Sequence, residues 1–227
     1  MPEQLTFDLP SEPALGRSDF FVSPSNHAAV EAVQSWHDWP QGKMLLVGPA
    51  GAGKTHLAHV WAAITGARIV AAEHVTAAHA PELAAQPIAV EDAHRIAGDR
   101  AAEEALFHLH NLALAERQTL LITARTPPAR WGLTLPDLES RMQGSPMVSL
   151  SGPDDMLLGA LLVKLFADRQ LTPETKVLDY ILSRMERSFE AAGRLVTALD
   201  RAALSKKRAI TVPLATEVLD KMGAEGA

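Results

Sequence analysis

A chain of 227 residues with 47% hydrophobic and 21% charged residues has a globular balance, with room for one fair-sized domain or a larger and a smaller one; disorder of the whole chain is excluded. It contains no cysteine, which excludes a disulfide framework and thiolate metal sites and agrees with a reducing compartment. The formal net charge is −6 and the one dense cationic run is Lys206-Lys207-Arg208, so strong direct DNA binding, which needs several phosphate-neutralising cations on one face, is not expected.

The front of the chain lacks a basic and apolar leader, and no apolar run reaches the roughly 18 residues of a membrane span. The expectation is a cytoplasmic protein with no membrane partner. Residues 1–18 read as a flexible arm with Pro2, Pro10 and Pro13, on which QLTFDLP displays Leu5, Phe7 and Leu9 without an obvious partner element.

Apolar runs then recur at Met44–Val47, Ala67–Ala71, Ile88–Val90, Leu120–Ile122 and Met147–Leu150, separated by segments long enough for helices. That alternation predicts an α/β fold, a parallel sheet covered by helices, over residues 19–151. Glu103–Ala115 supports it, with Leu106, Phe107, His110, Leu112, Ala113 and Leu114 at helical spacing. After about Gly152 the strand signal ends, and Asp154–Gln170, Glu174–Met185, Glu190–Lys206 and Leu214–Met222 read as consecutive helices of a small all-α domain, residues 152–227. Thr172 is expected to cap the second of these, with Pro173 at its first position. In the third, Ala192, Leu195, Val196, Leu199 and Ala203 form one stripe, and Arg194 lies one position off it, free to face a crevice.

The strongest chemical signal is GPAGAGKT, Gly48 to Thr55, between the strand KMLLV and the helix-forming THLAHVWAAI. Glycines let backbone N–H groups turn toward a polyphosphate, Lys54 brings positive charge to the outer phosphates, and Thr55 can place its hydroxyl on Mg²⁺. The strand before and the helix after favour this P-loop over a chance Gly-rich turn. The cofactor-binding set is therefore Gly48, Pro49, Ala50, Gly51, Ala52, Gly53, Lys54, Thr55 and His56, for ADP or ATP with Mg²⁺. PIAVED supplies the acidic partner: a short buried strand ends in Glu91, expected to hold Mg²⁺ through water, and Asp92, expected to orient or deprotonate the attacking water. The nine histidines show no zinc spacing, and ordinary surface or half-buried roles are expected for them.

A P-loop α/β domain followed by a four-helix lid resembles the AAA+ ATPases. The words DFFVSPSN (Asp19 to Asn26), GKTHLAH (Gly53 to His59), LPDLESRM (Leu135 to Met142) and GRLVTALDRA (Gly193 to Ala202) are similar to the ATPase and lid regions of the DnaA-type replication initiators. The chain ends at Ala227 without a helix-turn-helix domain and begins without a long interaction domain, so the expectation within that family is a regulator rather than an initiator. QLTFDLP is similar to the short peptides that engage the DNA sliding clamp, which implies clamp binding through Gln4, Leu5, Phe7 and Leu9. The resemblance implies that Arg141 is an arginine finger reaching into ATP held by a DnaA-type initiator, and that Arg194 is the lid arginine that touches the chain's own nucleotide. It also allows for a nucleotide-dependent homo-oligomer.

Two departures weaken catalysis in cis. The strand LLIT continues as Ala124-Arg125-Thr126-Pro127-Pro128, where the family has polar or acidic residues, leaving Thr123 as the candidate sensor. Glu91 stands where an Asp is usual, and on such a site a shift of about 1 Å matters greatly to rate. Slow or absent turnover is expected, with the P-loop acting as an ADP-responsive switch. A nucleotide-binding adaptor and a P-loop phosphotransferase are the competing functions.

Overall fold

In the computed structural model, which describes residues 21–206 and 208–225, a five-stranded sheet is followed by a cluster of helices. The strands are β1 (Lys43–Val47), β2 (Arg68–Ala71), β3 (Ile88–Glu91), β4 (Leu120–Ala124) and β5 (Met147–Ser149), one for each apolar run. All pair in parallel, in the order β2-β3-β4-β1-β5.

Every residue of β1 and β4 is buried, because helices cover both faces of the sheet. Alternation sorts their side chains. Leu45, Val47, Ile88, Val90, Leu120 and Ile122 enter one core with helices α3 (Ala80–Leu83), α4 (Arg100–Ala115) and α5 (Pro136–Gln143). Met44, Leu46, Ala89 and Leu121 enter the other with α1 (His27–Gln34) and α2 (Lys54–Thr65), where Trp61 is fully buried and stacks on Trp39 at 5.4 Å.

Helix α4 begins at Arg100, three residues before the expected Glu103, because the Asp99 side chain accepts from the N–H groups of Ala101 and Ala102. Its inward line is Ala105, Leu106, Leu109, His110 and Ala113, and it includes the wholly buried Glu103.

The remaining helices, α6 (Asp155–Ala167), α7 (Thr175–Leu182), α8 (Phe189–Lys206) and α9 (Val212–Glu225), pack around their own core of Leu158, Leu162, Phe166, Ile181 and Val196 among others. The whole expected stripe of α8, from Ala192 to Ala203, is buried. The expected start of α7 is corrected: Thr172 and Pro173 lie outside the helix, Glu174 is extended, and the first helical bond runs from the N–H of Val177 to the carbonyl of Glu174. At α6, Asp154 caps through a 2.8 Å bond from the N–H of Leu157. That bond holds its carboxyl below the usual range, with Ser23 and Ser25 adding to it, so the segment before α1 is tied to the first lid helix.

Candidate nucleotide site

Parallel pairing brings the carboxyl ends of β1, β3 and β4 side by side, where an open α/β sheet forms its ligand crevice. The P-loop leaves β1, and the N–H of Gly48 bonds to the carbonyl of Ala124 at 3.1 Å, fixing the loop against the end of β4. Gly53, left-handed at φ +95°, leads directly into α2 and Lys54. Lys54 is only 8% exposed, and its Nζ donates to the carbonyls of Gly48 at 2.7 Å and Pro49 at 2.8 Å. The ammonium is thus held at the loop that would receive a phosphate. Burial lowers its pKa, Asp92 and Glu91 oppose the shift, and Arg125 adds to it. Thr55 is exposed at the start of α2, and His56 follows half-buried.

Glu91 ends β3, and its buried Oε1 has no hydrogen-bond partner among the described residues, which leaves a lone pair for a cation or a water. Asp92 adopts φ +53° and ψ +42°, a conformation that a short polar side chain tolerates better than most. It is held there by Thr123, whose buried Oγ1 accepts the N–H of Asp92 at 3.1 Å. The expected sensor hydroxyl is therefore engaged on the acidic turn beside it. Thr123→Val, which keeps the shape and removes the acceptor, is expected to lower stability by about 1 kcal/mol in urea unfolding, the loss of a part-buried hydrogen bond. Unchanged stability would show that the N–H finds another partner.

Two further residues stand at this site: His94, which the sequence does not single out, and Arg125, which it marks only as a departure after LLIT. The backbone N–H of Arg125 lies 3.4 Å from Nδ1 of His94, and that ring nitrogen is 4.0 Å from the carboxylate of Asp92. Burial lowers the pKa of His94; Asp92 opposes that shift, and the cations Arg125, Lys54 and Arg95 add to it. His94 was legible only as the second residue after Asp92, and Arg125 as the first residue past β4.

The lid reaches the loop through residues that the sequence did not single out. The N–H of Phe189 donates to the carbonyl of Gly51 at 3.2 Å, and a Cβ placed on Gly51 would collide with Cβ of Ser188. At Gly53 it would meet the Phe189 ring at 2.9 Å, so both glycines are required by close approach as well as by positive φ. Ser188 accepts the N–H of Ala191 at the start of α8, and this helix-start signal was readable in SFEA. Arg194 is exposed and pairs with Glu190 at 2.7 Å and Glu186 at 3.7 Å. Exposed pairs of this kind are worth about 0–1 kcal/mol, a small barrier to a different partner.

Arg141 does not join this cluster. It is exposed on α5, and its guanidinium makes no hydrogen bond or ion pair among the described residues, neither with Asp137 nor with Glu139, which instead accepts from Gln143 at 3.0 Å. Its charge acts on Lys43 and His110 at the amino end of β1. At about 3.3 Å per residue, β1 puts that end roughly 13 Å from its P-loop end. His110 departs from the expectation of surface or half-buried histidines: it is fully buried, with Nε2 3.3 Å from Nζ of Lys43 and Nδ1 3.2 Å from Oδ1 of Asn111. Gln4, Leu5, Phe7 and Leu9 lie outside the described residues, as do the 1–18 arm and Lys207. Among the described residues no His, Asp and Glu group is arranged to hold a metal by itself, and no helix is long and apolar enough to cross a membrane.

A P-loop on a five-stranded parallel sheet, with an acidic strand end beside it and a helical lid seated on the loop, is an AAA+ fold. The chain is similar to domain III of the Thermotoga maritima replication initiation protein DnaA, with a TM-score of 0.81 at 16% identity over 94% of this chain and 98% of that one. It is similar to Aquifex aeolicus DnaA bound to AMPPCP (TM-score 0.71, 16% identity, 86% of this chain and 67% of that one) and to the Thermotoga maritima RuvB Holliday junction branch migration motor (TM-score 0.65, 20%, 85% and 65%). Residues 159–219 match the family model for the lid domain of Hda. The lid match and these folds together support an Hda/DnaA-related AAA+ protein.

Proposed function

We propose that this chain is a nucleotide-bound regulator of replication initiation, acting in the cytoplasm, that docks on the DNA sliding clamp and stimulates hydrolysis of ATP held by a DnaA-type initiator. The observation that carries this reading is the placement of Arg141, exposed, unpaired among the described residues and at the far end of β1 from the chain's own Lys54. A guanidinium so placed is suited to a neighbour's phosphates, where it would stabilise the charge of the transferring phosphoryl group.

ADP or ATP would lie on Gly48 to His56, with Lys54 at the outer phosphates and Arg194 or the Ser188–Phe189 turn reporting occupancy to the lid. Mg²⁺ would be held by Thr55 and by Glu91, whose unpartnered Oε1 fits a hydrated cation, and would neutralise phosphate charge. Asp92, in its αL turn, would hold a water, and Thr123 would hold Asp92. With the longer Glu91 and Arg125 at the strand end, turnover in cis is slow, and the bound nucleotide serves as a switch that favours one lid arrangement. Nucleotide-dependent self-association belongs to the same proposal.

The test is a reconstituted reaction of clamp on DNA, ATP-loaded initiator and this protein, with and without residues 1–12. Accelerated phosphate release that depends on those residues supports the proposal; equal release by both forms removes the clamp from it, and no acceleration leaves an adaptor. Gln4→Ala or Leu5→Ala is expected to abolish clamp binding with a nearly unchanged melting temperature. A large drop in melting temperature would assign the peptide to the fold.

A further inference from the structure

Glu103 is a carboxylate with no exposed surface, and every donor it meets comes from a loop. Its Oε1 accepts the N–H of Gly98 at 2.8 Å. Its Oε2 accepts the N–H of Thr134 at 2.9 Å, the Thr134 hydroxyl at 3.0 Å and the N–H of Leu135 at 2.7 Å. Burial alone would raise the pKa of this group, yet these hydrogen bonds hold it below the usual carboxylate range. An anion is thus kept inside the protein to receive the two residues that immediately precede Pro136, where α5 begins.

Helix α5 is short and has no side-chain cap of its own at Leu135. Glu103, from α4, takes the backbone donor at its entry. Leu138 and Met142 anchor the inner side of α5 in the core, and Ser145 donates to the carbonyl of Arg141 at 2.7 Å at the other end. Arg141 projects from the outer side of this three-point mount. A long, unpaired side chain is only as well aimed as the helix that carries it, and a misplacement of about 1 Å is felt strongly in rate.

We infer that Glu103 is the positioning residue for Arg141: it fixes the register and tilt of α5, and so the reach of the guanidinium into a partner's nucleotide. This rests on the trans-acting role of Arg141 proposed above. The experiment measures stimulated hydrolysis of initiator-bound ATP on clamp-loaded DNA against the concentration of this protein, for the full chain and for Glu103→Gln, Thr134→Val and Arg141→Ala. ADP-binding stoichiometry gives the folded fraction of each. Glu103→Gln is expected to lower the saturated rate by about 10-fold to 100-fold with ADP affinity and half-saturating concentration nearly unchanged, and Thr134→Val, which removes one donor, to fall between it and the parent. A Glu103→Gln rate equal to the parent, or reduced only in proportion to a lost folded fraction, overturns the inference. If Glu103→Gln does not fold, Thr134→Val carries the comparison, and a parental rate for it has the same meaning. Full stimulation by Arg141→Ala would instead overturn the reading on which this inference rests.

Discussion

Arg141→Ala is expected to reduce stimulated hydrolysis of initiator-bound ATP by about 10³-fold or more, with the affinity of the chain for its own ADP unchanged. Both halves follow from position. The transferring phosphoryl group spreads negative charge over its equatorial oxygens, and a fixed guanidinium from a second subunit is worth about 10³–10⁵ in rate when water is excluded. The chain's own nucleotide loop lies at the opposite end of β1, served by Lys54 with Glu91 and Asp92 beside it. Removing Arg141 also takes away a cation that acts on Lys43 and His110, so the fold loses nothing it depends on there. Single-turnover phosphate release, paired with calorimetry on ADP, separates the two effects. Arg141→Lys is expected to recover little, because a point charge lacks the planar fork. Undiminished stimulation by the alanine variant would sink the trans role.

The second large effect is a loss of stability in mild acid that is traceable to His110. Burial, reinforced by the charges of Lys43 and Arg141 and opposed by the bond to Asn111, lowers its pKa to about 4. The unfolded chain takes up that proton near pH 6.5, and the folded one refuses it until about pH 4. Between those values the unfolded state binds more protons, so the stability present above pH 6.5 is lost as pH falls through the window. The full span is about 3 kcal/mol, of which about 2 kcal/mol falls between pH 7 and pH 5. His110→Gln, which keeps an acceptor for Nζ of Lys43, is expected to be less stable than the parent at pH 7 and to lose much less on going to pH 5. Glu103 and Asp154, both depressed below ordinary carboxylate values, give up their stabilisation only at still lower pH and do not confuse the comparison. Urea unfolding at the two pH values decides it; parallel losses in parent and variant would assign the acid lability elsewhere.

The two predictions concern neighbouring groups with different legibility. Arg141 was found through LESRM, a word that resembles the initiator family; spacing alone made it an ordinary surface arginine. His110 falls within the helical apolar spacing of α4, whereas the histidines as a group are expected in surface or half-buried roles. Its partner Lys43 begins β1, 67 residues away in sequence, and no local pattern joins them. Glu103 shows the same limit more sharply. An acidic residue in the first turn of a helix reads as a solvated group favoured by the helix dipole, whereas here it is buried under Thr134 and Leu135.

The sequence by itself determined the five apolar strands, the change to an all-helical end after residue 151, the P-loop and the acidic end of β3. Each is written within a few consecutive residues as a periodicity, a glycine spacing or a strand followed by charges, and short-range sterics and burial are enough to read it. Tertiary structure alone decided that Thr123 faces the N–H of Asp92, that Ser188 and Phe189 seat the lid on Gly51 and Gly53, that Arg125 and His94 share the P-loop end of the sheet, and that Glu103 holds the helix carrying Arg141. The physical reason is the same in each case. Parallel pairing and helix packing bring together groups whose partners lie tens of residues away, and a hydrogen bond or buried charge acquires its meaning only from the partner that meets it.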